Sequence, residues 1–237
     1  MHRMKIFAGS GAIAAMLSGA IATGATGAAA SAAFAPHIGY GIGKYSGGNW
    51  GGYASLGHFT SAAADWTLPA VTCTSTNDLY AAWVGIDGDG SNTVEQTGVA
   101  ADCSSGSLQW RPWYEMYPKA PVYFSSPAHT GDAIAATVTA LGSGKYRLVI
   151  SDTTAGWSRT FNQTLRSARD ASAEAIVESP TDSYPLFAGQ DFTDVTFDGV
   201  ALASTSPQAL IADNRGTGSV VPSAIGADGE SFHMTQQ

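Results

Sequence analysis

The stretch Trp83-Val84-Gly85-Ile86-Asp87-Gly88, with Gln96-Thr97-Gly98 and Trp113-Tyr114-Glu115-Met116-Tyr117-Pro118 downstream, decides how this chain folds. Aromatic and β-branched residues alternate there with glycines and acids over short runs that turn-forming residues close, which is the pattern of strands. Similar runs extend outward at 81–86, 109–117, 133–140, 145–151 and 173–178, with turn signals about every ten residues. No apolar repeat of 3.6 residues lasts long enough for a major helix, and no internal repeat is present. The expected fold class is all-β, a sandwich or barrel of antiparallel strands.

Strand alternation sorts the side chains by face. In 113–117, Trp113, Glu115 and Tyr117 share one face, and Tyr114 and Met116 share the other. In 173–178, Glu174, Ile176 and Glu178 project together, opposed by Ala173, Ala175 and Val177. Two distant segments thus offer carboxylates from a sheet surface, and Gln96 adds an uncharged amide.

The ends and the composition bound the rest. His2, Arg3 and Lys5 precede a charge-free run of small and apolar residues to Ala30, and Ala28-Ala29-Ala30 and Ala33-Phe34-Ala35 offer signal-peptidase sites. Residues 1–33 are read as an export signal; their many Gly, Ala, Ser and Thr residues make a poor membrane anchor. Gly-rich 34–48 reads as a flexible lead or short pro-segment, and 49–237 as one domain. The formal charge is −8; without Arg3 and Lys5 the chain holds 9 basic against 19 acidic residues. That balance excludes a nucleic-acid footprint. Charged residues make up only 13% of the chain, so few ion pairs are lost when carboxylates protonate. Cys73 and Cys103 are the only cysteines, and in an exported chain they read as a disulfide bracing the segment that carries Trp83, Asp87 and Gln96. Two cysteines with no histidine clustered near them do not make a zinc site.

The ordered motifs resemble the glutamic peptidases (eqolisins), acid-active endopeptidases with a Gln/Glu pair. Asn49-Trp50-Gly51-Gly52 and Ala173-Glu174-Ala175-Ile176-Val177-Glu178 add to the three stretches above, and the resemblance runs from about 49 to 198. It implies two curved, packed antiparallel sheets of the concanavalin-like (jelly-roll) kind. It also implies polypeptide substrates, no metal and no cofactor; a monomer is the default for a secreted hydrolase of this size. Gln96 matches the family's catalytic glutamine and Glu178 its catalytic glutamate. Trp83, Asp87, Glu115 and Tyr117 fall at positions near that pair, the acids to orient and tune, the aromatics to shape the cleft. The chemistry is coherent: a carboxylate can stay ionised in acid where a histidine cannot, and an amide donates without titrating. Glu174 rivals Glu178, since both share a face. Met116 and Ala175 stand where the family carries aromatics, and parity puts both on the face away from the carboxylates. The final residues, 209–237, match the family least and are expected to give last strands and a loose terminus.

Other chemistries fit less well. Asp87-Gly88-Asp89-Gly90-Ser91-Asn92 opens like a calcium loop, but its twelfth position is Gly98 rather than Glu. No Gly-x-Ser-x-Gly elbow is present. Asn162-Gln163-Thr164 is a glycosylation acceptor where the source glycosylates. The competing readings are a glycoside hydrolase using Glu115 and Glu178, or a carbohydrate-binding module. Gln96 discriminates, because only the peptidase mechanism requires it.

Overall fold

A computed structural model describes residues 45–214 and 218–237. The export signal expected at 1–33, and residues 34–44 of the lead, lie outside the described residues. In chain order the strands begin β1 (Tyr45–Gly48), β2 (Trp50–Leu56), β3 (Ser61–Thr67), β4 (Val71–Thr72), β5 (Leu79–Ile86) and β6 (Val94–Asp102). They continue with β7 (Gln109–Tyr117), β8 (Val122–Tyr123), β9 (Ala133–Ala140), β10 (Lys145–Asp152), β11 (Trp157–Thr164) and β12 (Ser172–Glu178). The last are β13 (Leu186–Phe187), β14 (Gln190–Phe197), β15 (Val200–Ala201), β16 (Gln208–Asn214), β17 (Gly218–Pro222) and β18 (Phe232–Gln236). One 3₁₀ turn, Leu202–Ser204, is the only helical element among the described residues.

Two antiparallel layers pack face to face. One runs β16-β2-β12-β5-β6-β7-β8, and the other β11-β10-β9-β3-β14-β18. The expected pair of sheets is hydrogen-bonded into one continuous path, because β17 pairs with both β16 and β18 and so joins the layers. The chain end is therefore not loose. Phe232 and Met234 alternate inward into the core, and β18 also pairs with β14. Four residues expected in the lead, Tyr45–Gly48, form a strand parallel to β16.

The inner face of the first layer supplies Tyr80, Ala82, Val84, Val99, Met116, Ala175 and Val177 to the core between the layers. The second layer answers with Ala64, Trp66, Ile134, Val138, Leu148, Phe192 and Phe197. Met116 and Ala175 thus lie on the core side, as parity requires. The opposite face of the first layer carries a separate cluster of Trp50, Ala81, Trp83, Val94, Ala100, Trp113 and Ile176. A strand with one polar, solvated face would alternate in burial. β5 and β12 are instead buried at every position, so both of their faces are covered.

The Cys73–Cys103 disulfide forms, with Cα atoms 5.7 Å apart. It ties the lead into β5 to the end of β6, the two strands that present Trp83 and Gln96.

Candidate active site

Antiparallel register sets the site. Across β12, β5, β6 and β7, Glu174, Gly85, Gln96 and Glu115 stand in one row. The next row on the same face is Ile176, Trp83, Gly98 and Trp113, and the one beyond holds Glu178, Ala81, Ala100 and Arg111. Small residues alternate with large ones, so the big rings have room to lie along the sheet. Gly98 is compulsory for that arrangement. A Cβ there would come within 2.3 Å of the Ala82 carbonyl oxygen and 2.6 Å of Trp83 Cβ.

Glu178 is fully buried and held by both carboxylate oxygens. Asn49 Nδ2–H donates to Oε1 at 2.6 Å, and the Trp83 indole N–H donates to Oε2 at 3.2 Å. Trp50 lies in register with Glu178 on the next strand, and its indole packs edge-on against Trp83 at 4.8 Å between ring centroids. Burial pushes the Glu178 carboxyl well above its ordinary range, and the nearby Glu115 charge pushes it further; donors from Trp83, Trp50 and Asn49 oppose both. Glu115 in turn touches Gln96. Its Oε2 accepts the Gln96 amide N–H at 2.8 Å. Gln96 and Glu115 are both buried, and Tyr117 packs at the margin of the same aromatic cluster. Gln96, Glu178, Trp83, Glu115 and Tyr117 therefore share one face of one layer.

Asp87 does not join them. Parity alone would put it on the Trp83 face, but its backbone turns to φ 68° and ends the strand. Its carboxylate fastens a different segment, accepting the backbone N–H groups of Arg169, Asp170 and Ala171 at 2.7–3.0 Å and the Thr93 hydroxyl at 3.1 Å. Glu95, adjacent to Gln96 in sequence but on the core side of β6, is buried close to Asp87. Asp87, Glu95 and Asp170 present carboxylate oxygens within 4.8 Å of one another, a spacing that could hold a cation. Tyr146 donates its hydroxyl proton to Asp170. Four donors already satisfy the Asp87 carboxylate. The calcium-like run 87–92 does not build this cluster beyond its first residue.

Glu174 keeps company with these acids rather than with Glu178. It is buried, and its carboxyl is pushed well up by burial and by the charges of Asp87, Asp89 and Glu95. The two glutamates of β12 share a face but occupy different surroundings. Sequence reasoning passed over Asn49 and Trp50 as site residues. Their motif was visible, but the strand pairing that lays them beside Glu178 was not. It also passed over Glu95, whose signal was a carboxylate at an inward parity position beside Thr97, Val99 and Ala101.

One face of an all-β layer thus gathers buried carboxylates, an amide and indoles, a set of groups suited to acid–base chemistry. Residues 48–221 match the Peptidase A4 family, and the chain belongs to it. It is a glutamic endopeptidase. Over 217 residues it is 29% identical to aspergillopepsin-2 of Aspergillus niger, covering 79% of this chain and 77% of that protein. Over 197 residues it is 30% identical to scytalidopepsin B of Scytalidium lignicola, covering 78% and 66%. The fold is similar to scytalido-glutamic peptidase solved with a transition-state analogue inhibitor: TM-score 0.67, 25% identity, 80% of this chain and 98% of that one. It is also similar to the aspergilloglutamic peptidase of Aspergillus niger: TM-score 0.54, 29% identity, 68% and 99%. The glycosidase and carbohydrate-binding readings are not favoured.

Proposed function

We propose that the chain is a secreted, acid-active, monomeric endopeptidase in which Glu178 and Gln96 form the catalytic dyad. The observation that carries this is the bridging position of Glu115, bonded to Gln96 and electrostatically coupled to Glu178 across one aromatic-lined face. Glu178 takes a proton from the attacking water and returns it to the leaving nitrogen. A carboxylate whose charge is costly is the stronger base once ionised, so the upward push on Glu178 suits that step. Two neighbouring carboxyls cannot both ionise cheaply, and the Glu178–Glu115 pair works with one proton between them. An amide carries two N–H donors. The bond to Glu115 sets the orientation of Gln96, and the amide is assigned as a donor to the oxyanion that forms on the scissile carbonyl. No metal or cofactor enters any step.

Half-buried Tyr117 is assigned to the surface that meets an extended polypeptide, and the fully buried Trp83 shapes that surface from beneath, which favours unfolded substrates. Secretion is supported by the 1–33 reading and by the Cys73–Cys103 disulfide, a bond that persists in oxidising compartments. Cleavage of denatured protein across pH 2–7 by wild type, Gln96→Ala and Glu178→Gln tests the dyad. Acid-restricted cleavage that falls by about 100-fold or more in each variant is expected. Wild-type rates in either variant would remove that residue from the chemistry.

A further inference from the structure

We propose that Asn49 is a positioning residue for Glu178: its side-chain amide fixes the orientation of the carboxylate and holds it in the ionised form that accepts a proton from water. The inference rests on the dyad reading above and extends it to a residue outside the dyad.

The geometry is direct. Asn49 Nδ2 lies 2.6 Å from Glu178 Oε1, closer than the Trp83 indole at 3.2 Å from Oε2. Asn49 is itself anchored from the opposite side. Its carbonyl oxygen accepts the Tyr184 hydroxyl proton at 3.3 Å, and Trp50, the next residue, begins β2 in register with Glu178. The amide is thus delivered from the bend just before β2, the strand paired to the one that carries the glutamate. With Asn49 on Oε1 and Trp83 on Oε2, rotation of the carboxylate would break both bonds, so the lone pairs that meet water keep one direction.

The choice of residue type has a chemical reason. The groups that face Glu178 and can titrate are Glu115 from β7 and Tyr184 from the segment after β12. Neither supplies positive charge. A buried carboxylate with an acidic neighbour needs donors that stay neutral across the acidic range, and an amide and two indoles meet that requirement. An aspartate at position 49 would add a third carboxyl to the same pocket.

The test measures kcat and KM across pH 2–7 on an internally quenched peptide for wild type, Asn49→Ala, Asn49→Asp and Glu178→Gln, with a melting temperature for each. Losing a donor to the charged form raises the Glu178 pKa, so the acid limb of the profile moves to higher pH. For Asn49→Ala the expected shift is roughly one pH unit, with kcat down about tenfold and KM within about threefold of wild type. Asn49→Asp should move the limb at least as far, because its own ionisation adds a negative charge beside Glu178. Where Asn49→Ala fails to fold, the Asn49→Asp profile decides. A wild-type acid limb in the folded variants overturns the role of Asn49 while Glu178→Gln stays inactive. An active Glu178→Gln instead overturns the dyad itself.

Discussion

Changing Glu95 to glutamine tests whether the acids buried beside Asp87 set the pH range in which the fold survives. Burial pushes the Glu95 carboxyl from 4.5 up to about 10, helped by the charges on Asp87 and Asp170. Below pH 4.5 the group is protonated in both the folded and the unfolded chain, and it costs nothing. Above that, the unfolded chain releases the proton while the folded chain keeps it. Stability therefore falls with rising pH, by about 1.4 kcal/mol per unit, until the folded-state value near 10 is reached. Between pH 4.5 and 7 the loss is about 3 kcal/mol, a large share of the roughly 5–15 kcal/mol that holds a typical domain together. The Glu95→Gln amide is nearly isosteric but does not titrate, so this component of the decline disappears. Urea midpoints from pH 3 to 7.5 at fixed ionic strength would show it. Wild type should lose stability steadily above pH 4.5, and the variant should lose it more slowly by up to one proton's worth of slope. Glu174 and Glu178 are shifted in the same direction, so the variant's curve keeps some fall. Parallel curves would refute the reasoning, since they would mean that Glu95 carries the same proton in both states.

Two further outcomes test the scaffold of the site. Gly98→Ala drives a Cβ against backbone, 2.3 Å from the Ala82 carbonyl oxygen, so it should destabilise by about 3 kcal/mol and displace Trp83; chemical denaturation and indole fluorescence would show both. Cys73→Ser opens a loop spanning 30 residues and should cost about 3–4 kcal/mol, read as a lower melting temperature that reductant no longer changes.

Much of the fold was legible because it depends on local alternation. Trp113, Ile176 and Glu178 went to one face, and Tyr114, Met116 and Ala175 to the other, from a period of two alone. What failed were inferences where parity stops applying. Asp87 follows a strand whose count would point it at the cleft, yet one residue with positive φ turns its carboxylate onto the 169–171 segment. The chain end looked weak because few residues in 209–237 match the family. Its strands are short and alternate correctly, but their partners are far away in sequence, and no local pattern announces a strand that joins two layers.

The same limit explains why Glu174 and Glu178 could not be separated from sequence. They lie four residues apart on one strand, share a face, and are both fully buried, so propensity, parity and burial treat them alike. Their neighbours differ. At the Glu178 end the adjoining strand begins with Trp50, with Asn49 just before it, and the donors are neutral amide and indole groups. At the Glu174 end the strand runs toward Asp87, Asp89 and Glu95, where three acids raise the cost of a further charge. A general base must hold its negative charge long enough to take a proton from water. A carboxylate ringed by neutral donors meets that condition better than one ringed by carboxylates. The chemical role of each glutamate is thus set by cross-strand register, which is a property of the assembled sheet.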